Sequence, residues 1–212
     1  MRAMAAGITL CDDGAARCFW SAGDPAYRVY HDGEWGFPSA DDRHLYEKIC
    51  LEGFQAGLSW LTILRKRDAF RRAFANFEFA KVARFDARRV ARLLTDPGIV
   101  RHRAKIESAI HNAKRTLEVV DEAGSLAAFL WRFEPAAKER PRRMTRAAIV
   151  KLTETPTSQA LSKELRRRGF TFVGPTTMYA LMQSVGLVND HLEGCDARPR
   201  AEAARRKFRP PR

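Results

Sequence analysis

Apolar residues along the chain recur at intervals of three and four, the spacing that places side chains on one face of an α-helix. The first such run follows Asp41, whose side chain suits a helix N-cap, and Gly53 and Gly57 are predicted to break it. Similar runs predict further helices at residues 59–74, 85–94, 102–120, 125–133, 157–168 and 176–185. No segment alternates strictly between apolar and polar residues, so the sequence predicts an all-α fold.

The length of the chain predicts one folded domain. Its 212 residues suffice for one well-filled core and are short for two independent domains. We predict an N-terminal extension at residues 1–17, a main domain at residues 18–196 and a basic tail at residues 197–212. From Pro199 onward the tail combines proline and arginine with few large apolar residues, a composition that predicts disorder.

The chain is strongly basic, with 38 Lys and Arg against 25 Asp and Glu and a formal net charge of +13. The predicted tail holds seven of the basic residues and one acid, so the main domain keeps a smaller excess. This balance favours polyanionic partners such as nucleic acid. No apolar stretch approaches the ~18 residues that span a bilayer, and no signal peptide is evident, so we expect a cytoplasmic monomer that binds no membrane.

Two pairs of metal-binding residue types lie near opposite ends of the chain. His191 and Cys195 have the close spacing of zinc ligands, whereas Cys18 and His31 are separated more loosely. The cysteines are too few and scattered for a disulfide framework. The residues alone leave two interpretations open: buried cysteines with hydrogen-bonded histidines, or a Cys2His2 metal site. Four protein ligands would leave no open position, so such a metal would be structural.

A set of aromatic residues and one glutamate could form a binding pocket. Glu52 lies within an apolar run, where an ionised carboxylate needs a partner. A cationic aromatic ligand stacked on tryptophan or tyrosine rings would be such a partner, and an Arg or Lys of the chain is the alternative. Aromatic residues are also more often core than binding site. The aromatic members of the set are Trp20, Tyr27, Tyr30, Trp35 and Trp60.

A short connector joins the last two predicted helices. Gly169 ends the first of them, and Gly174 with Pro175 suits the start of the next. Backbone N–H groups at such a connector can bind a DNA phosphate without reading sequence, although an ordinary helical hairpin has the same pattern. The basic composition of the chain favours DNA.

Several strings of residues between about Cys18 and Cys195 form a specific combination. They are Tyr30-His31-Asp32-Gly33-Glu34-Trp35-Gly36, Leu51-Glu52-Gly53, Gln55-Ala56-Gly57-Leu58-Ser59-Trp60, Gly98-Ile99-Val100-Arg101-His102-Arg103 with Lys105-Ile106, Arg168-Gly169-Phe170 with Phe172-Val173-Gly174, and Gly186-Leu187-Val188-Asn189-Asp190-His191. In this combination the chain resembles the DNA-3-methyladenine glycosylase I family of helix-hairpin-helix base-excision enzymes. The resemblance implies two helical lobes around a cleft, with the chain termini joined by a structural zinc ion.

The resemblance also implies an activity and a set of site residues. Enzymes of this family flip 3-methyladenine out of alkylated double-stranded DNA and hydrolyse its N-glycosidic bond, which releases the free base. The implied zinc ligands are Cys18, His31, His191 and Cys195, and the implied base pocket contains Glu52, Tyr30, Trp60, Trp20 and Tyr27. Glu52 would be the catalytic residue. Leu58 would press into the gap that the flipped base leaves, and Gly169 and Gly174 would contact DNA.

Some features depart from the family or leave alternatives open. Phe54 stands where a polar residue is typical, and the N-terminal extension and basic tail look peculiar to this chain. Asp190 lies where related enzymes place a catalytic aspartate, but it precedes the implied ligand His191, which favours a role in orienting that ligand. The alternative functions are a zinc-stabilised DNA-binding module without activity, and a glycosylase for another alkylated base such as 7-methylguanine.

Overall fold

A computed structural model describes residues 5–211; residues 1–4 of the predicted extension and residue 212 of the predicted tail lie outside the described part. The described chain is mostly helical, and every helix predicted from the apolar spacing is present. The helices are α1 (Pro25–Gly33), α2 (Asp42–Gln55), α3 (Trp60–Ala73), α4 (Phe79–Val82), α5 (Ala87–Thr95), α6 (Arg103–Ala123), α7 (Leu126–Leu130), α8 (Arg146–Lys151), α9 (Pro156–Arg167), α10 (Pro175–Ser184) and α11 (Ala197–Lys207).

Side-chain caps fix where the central helices begin. The Asp41 carboxylate accepts hydrogen bonds from the first backbone N–H groups of α2, and the Ser59 hydroxyl accepts one from Thr62 of α3. Thr155 and Ser158 form a reciprocal capping box at the start of α9. These local interactions explain why the predicted starts of α2 and α3 agree with the structure to within one residue.

Gly53 does not break α2, contrary to the prediction. The helix continues through it to Gln55, and the chain turns only at Gly57, whose φ is +78°. A Cβ atom on Gly53 would lie 3.2 Å from the Cβ of Phe172, so the missing side chain allows the connector before α10 to approach α2. Gly53 therefore allows close packing against α2. The sequence suggested a helix break instead, because glycine has a low helix propensity.

The prediction of an all-α fold is wrong for the N-terminal extension. Two strands, β1 (Ile8–Leu10) and β2 (Ala16–Cys18), pair antiparallel there. Each has three residues, which is too short for an alternating pattern to be recognised in sequence. Contacts distant in sequence support the pair, since the Ala16 backbone exchanges two hydrogen bonds with Asp196, of 2.8 and 2.9 Å.

The predicted disorder of the tail is also wrong for the described residues. Helix α11 forms there, with Ala197 and Ala201 buried one turn apart on its inner face. Beyond the helix, the Phe208 ring lies 4.5 Å from that of Trp131, measured between centroids. Pro199 falls in the first turn, where its missing N–H costs no helical hydrogen bond. The composition of the tail predicted disorder because composition alone does not show that two alanines are buried against the rest of the protein.

Within residues 5–211, buried apolar side chains form two hydrophobic clusters. The larger one, which we call the main core, collects residues of α2 to α7, α9 and α10 around Leu51, Ile106 and Met182. The smaller one surrounds Cys18 and Cys195 and includes residues from α8 and the start of α11. Trp20 packs against the smaller cluster and Trp60 against the main core. In the described range, no helix has both the length and the apolar character needed to cross a membrane.

Candidate ligand pocket and metal centre

A cavity of about 350 Å³ opens between the two hydrophobic clusters. The acidic and aromatic residues selected from the sequence all line it: Trp20, Tyr27, Tyr30, Trp35, Glu52 and Trp60. Further lining residues come from the end of α2, from α8 and its C-terminal flank, and from α10: Gln55, Ile149, Leu152, Ala180 and Gln183. The sequence therefore identified the aromatic and acidic walls but not the two glutamines.

Two groups of rings form the walls of the cavity. Trp20 packs edge-on against Tyr27 and Trp35, with ring centroids 5.5 and 4.9 Å apart. Tyr30 and Trp60 form the second group, with centroids 5.4 Å apart and planes inclined at 47°. Such rings offer a planar ligand large apolar faces at little loss of conformational entropy.

Glu52 carries the carboxylate of the cavity. Its side chain lies on α2 and only 4% of the residue is exposed. Burial raises the pKa of Glu52 from its ordinary value of 4.5 to about 7, although the charge of Lys48 opposes this effect. A carboxylate held in so little water interacts strongly with a positive charge or hydrogen-bond donor that enters the cavity.

Lys48, which the sequence did not indicate, is a buried cation in contact with two residues of the cavity wall. It is fully buried one helical turn before Glu52, with the Nζ atom 3.8 Å from the Glu52 carboxylate and 3.5 Å from that of Glu34. Nζ donates a hydrogen bond of 3.1 Å to the Tyr30 hydroxyl and lies 4.3 Å from the Trp60 ring centroid. Burial lowers the pKa of Lys48 against the pull of both carboxylates. Lys48 and Glu52 are four residues apart in a predicted helix, and this spacing could have indicated from the sequence that their side chains are neighbours.

Glu34 links this pair to a second buried cation. Burial opposes its ionisation, yet Lys48 and Arg67 hold the pKa of Glu34 down at about 2. Arg67 bonds Glu34 and also Glu47, each at 2.5 Å. Because Arg67 binds these two glutamates, Glu52 has an ammonium and no guanidinium as its ion-pair partner in the described structure. The sequence left open whether Glu52 pairs with a lysine of the chain or faces a ligand. Glu52 does both: it lies beside Lys48 and it also lines the cavity.

Asp190 does not orient the histidine beside it, contrary to the expectation. Its Oδ2 atom accepts hydrogen bonds from the Tyr179 hydroxyl at 2.6 Å and from the Gln183 amide at 3.0 Å. Its Oδ1 atom lies 3.5 Å from Arg140. The Asp190 side chain thus points towards α10, which supplies two hydrogen-bond donors. The His191 ring bonds the Trp35 carbonyl oxygen instead of Asp190. It does not line the cavity.

The four predicted metal ligands come together at the junction of the two chain ends. One donor atom from each of Cys18, His31, His191 and Cys195 lies within 4.8 Å of the others, and all four residues are buried. Two of the donor pairs are 3.1 Å apart (His191 Nδ1 to His31 Nε2) and 3.5 Å apart (Cys195 Sγ to His31 Nε2). Neighbouring ligands of a tetrahedral zinc ion are about 3.3–3.8 Å apart, given Zn–N and Zn–S bonds near 2.0 and 2.3 Å. The Cys195 and Cys18 sulfur atoms lie 3.7 and 4.0 Å from His191 Nδ1, so these four separations run from 3.1 to 4.0 Å, close to the range for zinc. Two thiols and two imidazoles are also a donor set that a closed four-ligand metal site uses.

Hydrogen bonds orient both imidazoles towards this cluster. His31 Nδ1 lies 2.7 Å from Asp32 Oδ1, and His191 Nε2 lies 2.8 Å from the Trp35 carbonyl oxygen. Arg17, on β2, holds Asp32 through bonds of 2.9 and 2.7 Å. Because the other ring nitrogen of each histidine is occupied, His31 Nε2 and His191 Nδ1 are left to bind a metal. Strand β2, which the sequence did not predict, thus helps to position the Cys2His2 cluster.

The predicted DNA-contacting residues lie on two loops. Leu58 is 41% exposed in the turn between α2 and α3. The Lys105 ammonium bonds the Phe54 and Ala56 carbonyl oxygens at the end of α2, which fixes the start of this turn. Gly169, with φ +86°, ends α9, and Gly174 precedes α10, whose first turn has no side-chain cap.

Phe54 does not alter the cavity. It is 1% exposed, and its ring lies 4.6 Å from that of Phe70 and 5.7 Å from that of Phe74, measured between centroids. The side chain therefore contributes to the main core. Phe54 is not among the residues that line the cavity, so it does not set the polarity of the pocket.

Comparison with known proteins extends these observations. Residues 20–199 match the sequence profile of the methyladenine glycosylase family. The chain is 46% identical over 183 residues to DNA-3-methyladenine glycosylase 1 of Escherichia coli strain K12, covering 86% of this chain and 97% of that one. It is 44% identical over 182 residues to DNA-3-methyladenine glycosylase of Haemophilus influenzae, covering 84% and 96%.

Solved structures agree in fold. A structure describing 3-methyladenine recognition by 3-methyladenine DNA glycosylase I from Staphylococcus aureus has a TM-score of 0.79 and 38% identity, covering 85% of this chain and 95% of that one. The sequence similarity and the structural similarity both extend over most of the chain. The chain therefore belongs to the methyladenine glycosylase family.

Proposed function

We propose that this protein is a base-excision repair glycosylase that binds alkylated double-stranded DNA and hydrolyses the N-glycosidic bond of 3-methyladenine. The observation that carries the proposal is the buried Glu52 carboxylate in a cavity walled by aromatic rings. The volume of about 350 Å³ suits a single flipped purine. The names of the relatives, which are 3-methyladenine glycosylases, support the same lesion.

The pocket selects the damaged base by stacking and charge. An adenine alkylated at N3 in DNA is a cation, and its rings can stack on the aromatic walls beside Tyr30 and Trp60. The Glu52 carboxylate attracts the positively charged base and accepts a hydrogen bond from its exocyclic amine. An undamaged base has no such charge, and its stacking and pairing in the duplex are harder to break.

Bond cleavage needs little acid catalysis. When the glycosidic bond breaks, its electron pair passes to the base, which leaves as neutral 3-methyladenine. A water molecule adds to the sugar carbon and releases its proton to solvent. Glu52 therefore acts as the catalytic residue by contacting and holding the flipped base in the reactive position, and no side chain need protonate the leaving group.

We infer that zinc occupies the Cys2His2 cluster in a structural role. Four protein ligands complete a tetrahedral shell and leave no position for a reacting water. The ion would join β2 and α1 to the segment before α11, so the two chain ends would depend on it for stability. Metal analysis of the purified protein tests this inference, with one zinc per chain as the expected result and no metal as the opposing one.

Two loops would hold the DNA. Leu58 would press into the gap left by the flipped base, since it is an exposed apolar side chain at a fixed turn. The backbone N–H groups around Gly174 and the start of α10 would bind a phosphate.

Base release from methylated duplex DNA tests the proposed function. The protein is incubated with the DNA, and the released bases are separated by chromatography. Free 3-methyladenine is the expected product. Salt-sensitive DNA retention without any released base would favour the non-enzymatic DNA-binding module, and 7-methylguanine as the main product would favour a different lesion.

A further inference from the structure

A second cavity, which we call the arginine cavity, lies between the loop before α8 and helix α11. Its volume is about 430 Å³, and it shares no lining residue with the cavity that contains Glu52. Guanidinium groups gathered around one space repel each other unless negative charge lies among them. The charged residues of the lining are one glutamate and five arginines: Glu202, Arg140, Arg142, Arg198, Arg205 and Arg206.

Backbone carbonyl groups hold two of these arginines in place. Arg140 Nη2 donates a hydrogen bond of 2.8 Å to the Asn189 carbonyl oxygen, and Arg198 Nη1 donates one of 2.5 Å to the carbonyl oxygen two residues further along. Arg140 also lies 3.5 Å from the Asp190 carboxylate, and Arg198 lies 3.2 Å from that of Glu202. Both guanidinium groups are therefore ordered by the protein itself, so an anion that enters the cavity need not order them.

Arg205 has an incomplete set of partners. Its Nη2 atom bonds the Glu134 carboxylate, whereas its Nη1 atom is buried and has no hydrogen-bond partner among residues 5–211. Burial lowers the pKa of Arg205, although the charge of Glu134 opposes this effect. A buried cation with an unpaired donor is costly, and an anion in the cavity that Arg205 lines would offset its charge.

Two of the five positive charges have no carboxylate of the protein beside them. Asp190, Glu202 and Glu134 match three of the arginines. Arg142 and Arg206 are exposed, and no ion pair within the described range includes either of them. The cavity therefore has an excess of two positive charges. A phosphate monoester carries about two negative charges, and two neighbouring phosphodiesters of DNA carry the same total.

The arginine cavity is formed in part by residues beyond the region shared with the family. The family profile covers residues 20–199, and the α11 residues Glu202, Arg205 and Arg206 follow it. The base cavity, in contrast, is lined only by residues within the profile. The features of the family that explain the base cavity therefore do not account for the arginine cavity.

We propose that the arginine cavity is a phosphate-binding site, separate from the base cavity, for a phosphate group of the DNA backbone or of a small phosphate compound. The planar guanidinium group suits this ligand, because it donates paired, charge-assisted hydrogen bonds to phosphate oxygens. Both sources present the same chemical group, and two binding measurements distinguish them. The site does not depend on the base-excision activity.

The double variant Arg142→Gln/Arg206→Gln, which we call the cavity variant, removes the two charges that no carboxylate matches. Both residues are exposed, so the protein should still fold, and melting temperature and metal content verify this. The double variant Arg88→Gln/Arg92→Gln is the matched control. It removes two exposed arginines of α5 that also form no ion pair among the described residues and that do not line the arginine cavity.

The first measurement is a calorimetric titration of each protein with inorganic pyrophosphate. If the site takes small phosphate compounds, the cavity variant should bind pyrophosphate on the order of tenfold more weakly than the wild type. The second measurement is the salt dependence of binding to an undamaged DNA duplex. If the site takes the DNA backbone, the slope of log K against log salt concentration should become shallower by about 2 in the cavity variant.

The matched control should behave like the wild type in both measurements. A loss that is confined to the cavity variant, in either measurement or in both, supports the site and identifies its source of phosphate. Wild-type behaviour of the folded cavity variant in both measurements overturns the proposal. An equal loss in the matched control also overturns it, because the effect would then come from net charge alone. Neither result bears on base release, so the proposed function is tested separately.

Discussion

Glu52→Gln should make the protein more stable at neutral and alkaline pH while impairing its proposed activity. The ionised carboxylate is buried, and burial raises its pKa from 4.5 to about 7. Ionisation of Glu52 is therefore less favourable in the folded protein than in the unfolded chain, where water solvates the carboxylate. A neutral glutamine of nearly the same shape removes that penalty.

The size and pH range of the effect follow from the two pKa values. A difference of about 2.5 between them corresponds to about 3 kcal/mol, which disfavours the folded wild type above pH 7. Below pH 4.5 both states bind the proton and the penalty disappears. For a chain of this length, 3 kcal/mol corresponds to a rise in melting temperature of about 6 to 12 °C.

Thermal unfolding of both proteins between pH 4 and pH 8.5 measures this effect. The advantage of Glu52→Gln should be largest above pH 7 and shrink steadily between pH 7 and pH 4.5. Glu107→Gln, at an exposed pair with Arg103, is the control and should change little at any pH. Equal or lower stability of Glu52→Gln at pH 8 would contradict this expectation, because it would mean that Lys48 fully compensates the buried carboxylate.

Three further variants test other parts of the structure. Lys48→Met leaves Glu34 and Glu52 without their shared cation, so urea unfolding at pH 8 should show a loss of about 3 kcal/mol or more; an unchanged midpoint would contradict the network. Gly186→Ala should prevent folding or lower stability by several kcal/mol, because φ is +74° and a Cβ would lie 2.3 Å from the Phe37 carbonyl group; native circular dichroism and melting would oppose this. Leu58→Ala should slow base release about tenfold or more while thermal stability stays within about 0.5 kcal/mol, since the side chain is 41% exposed; unimpaired release would exclude its role at the flipped base.

Local patterns explain what the sequence predicted well. The starts of α2 and α3 depend on Asp41 and Ser59, which bond backbone groups two or three residues away. The aromatic and acidic lining residues were selected by residue type and by the family resemblance, and the cavity contains all of them.

Contacts between distant parts of the chain explain what the sequence did not predict. Strand β2 depends on Asp196, which is 180 residues away from Ala16. Helix α11 depends on the burial of Ala197 and Ala201, which composition alone cannot register. The sequence suggested that Asp190 orients His191. Its hydrogen-bond partners are instead Tyr179 and Gln183 on α10, and no regular spacing in the sequence predicts these contacts.

A crystal structure of the protein with bound 3-methyladenine would show directly whether Glu52 and the aromatic walls bind the base. We expect the base inside the cavity, stacked against the Tyr30 and Trp60 side, with its exocyclic amine about 3 Å from a Glu52 carboxylate oxygen. A base bound elsewhere, or one in the cavity whose amine makes no contact with Glu52, would contradict it.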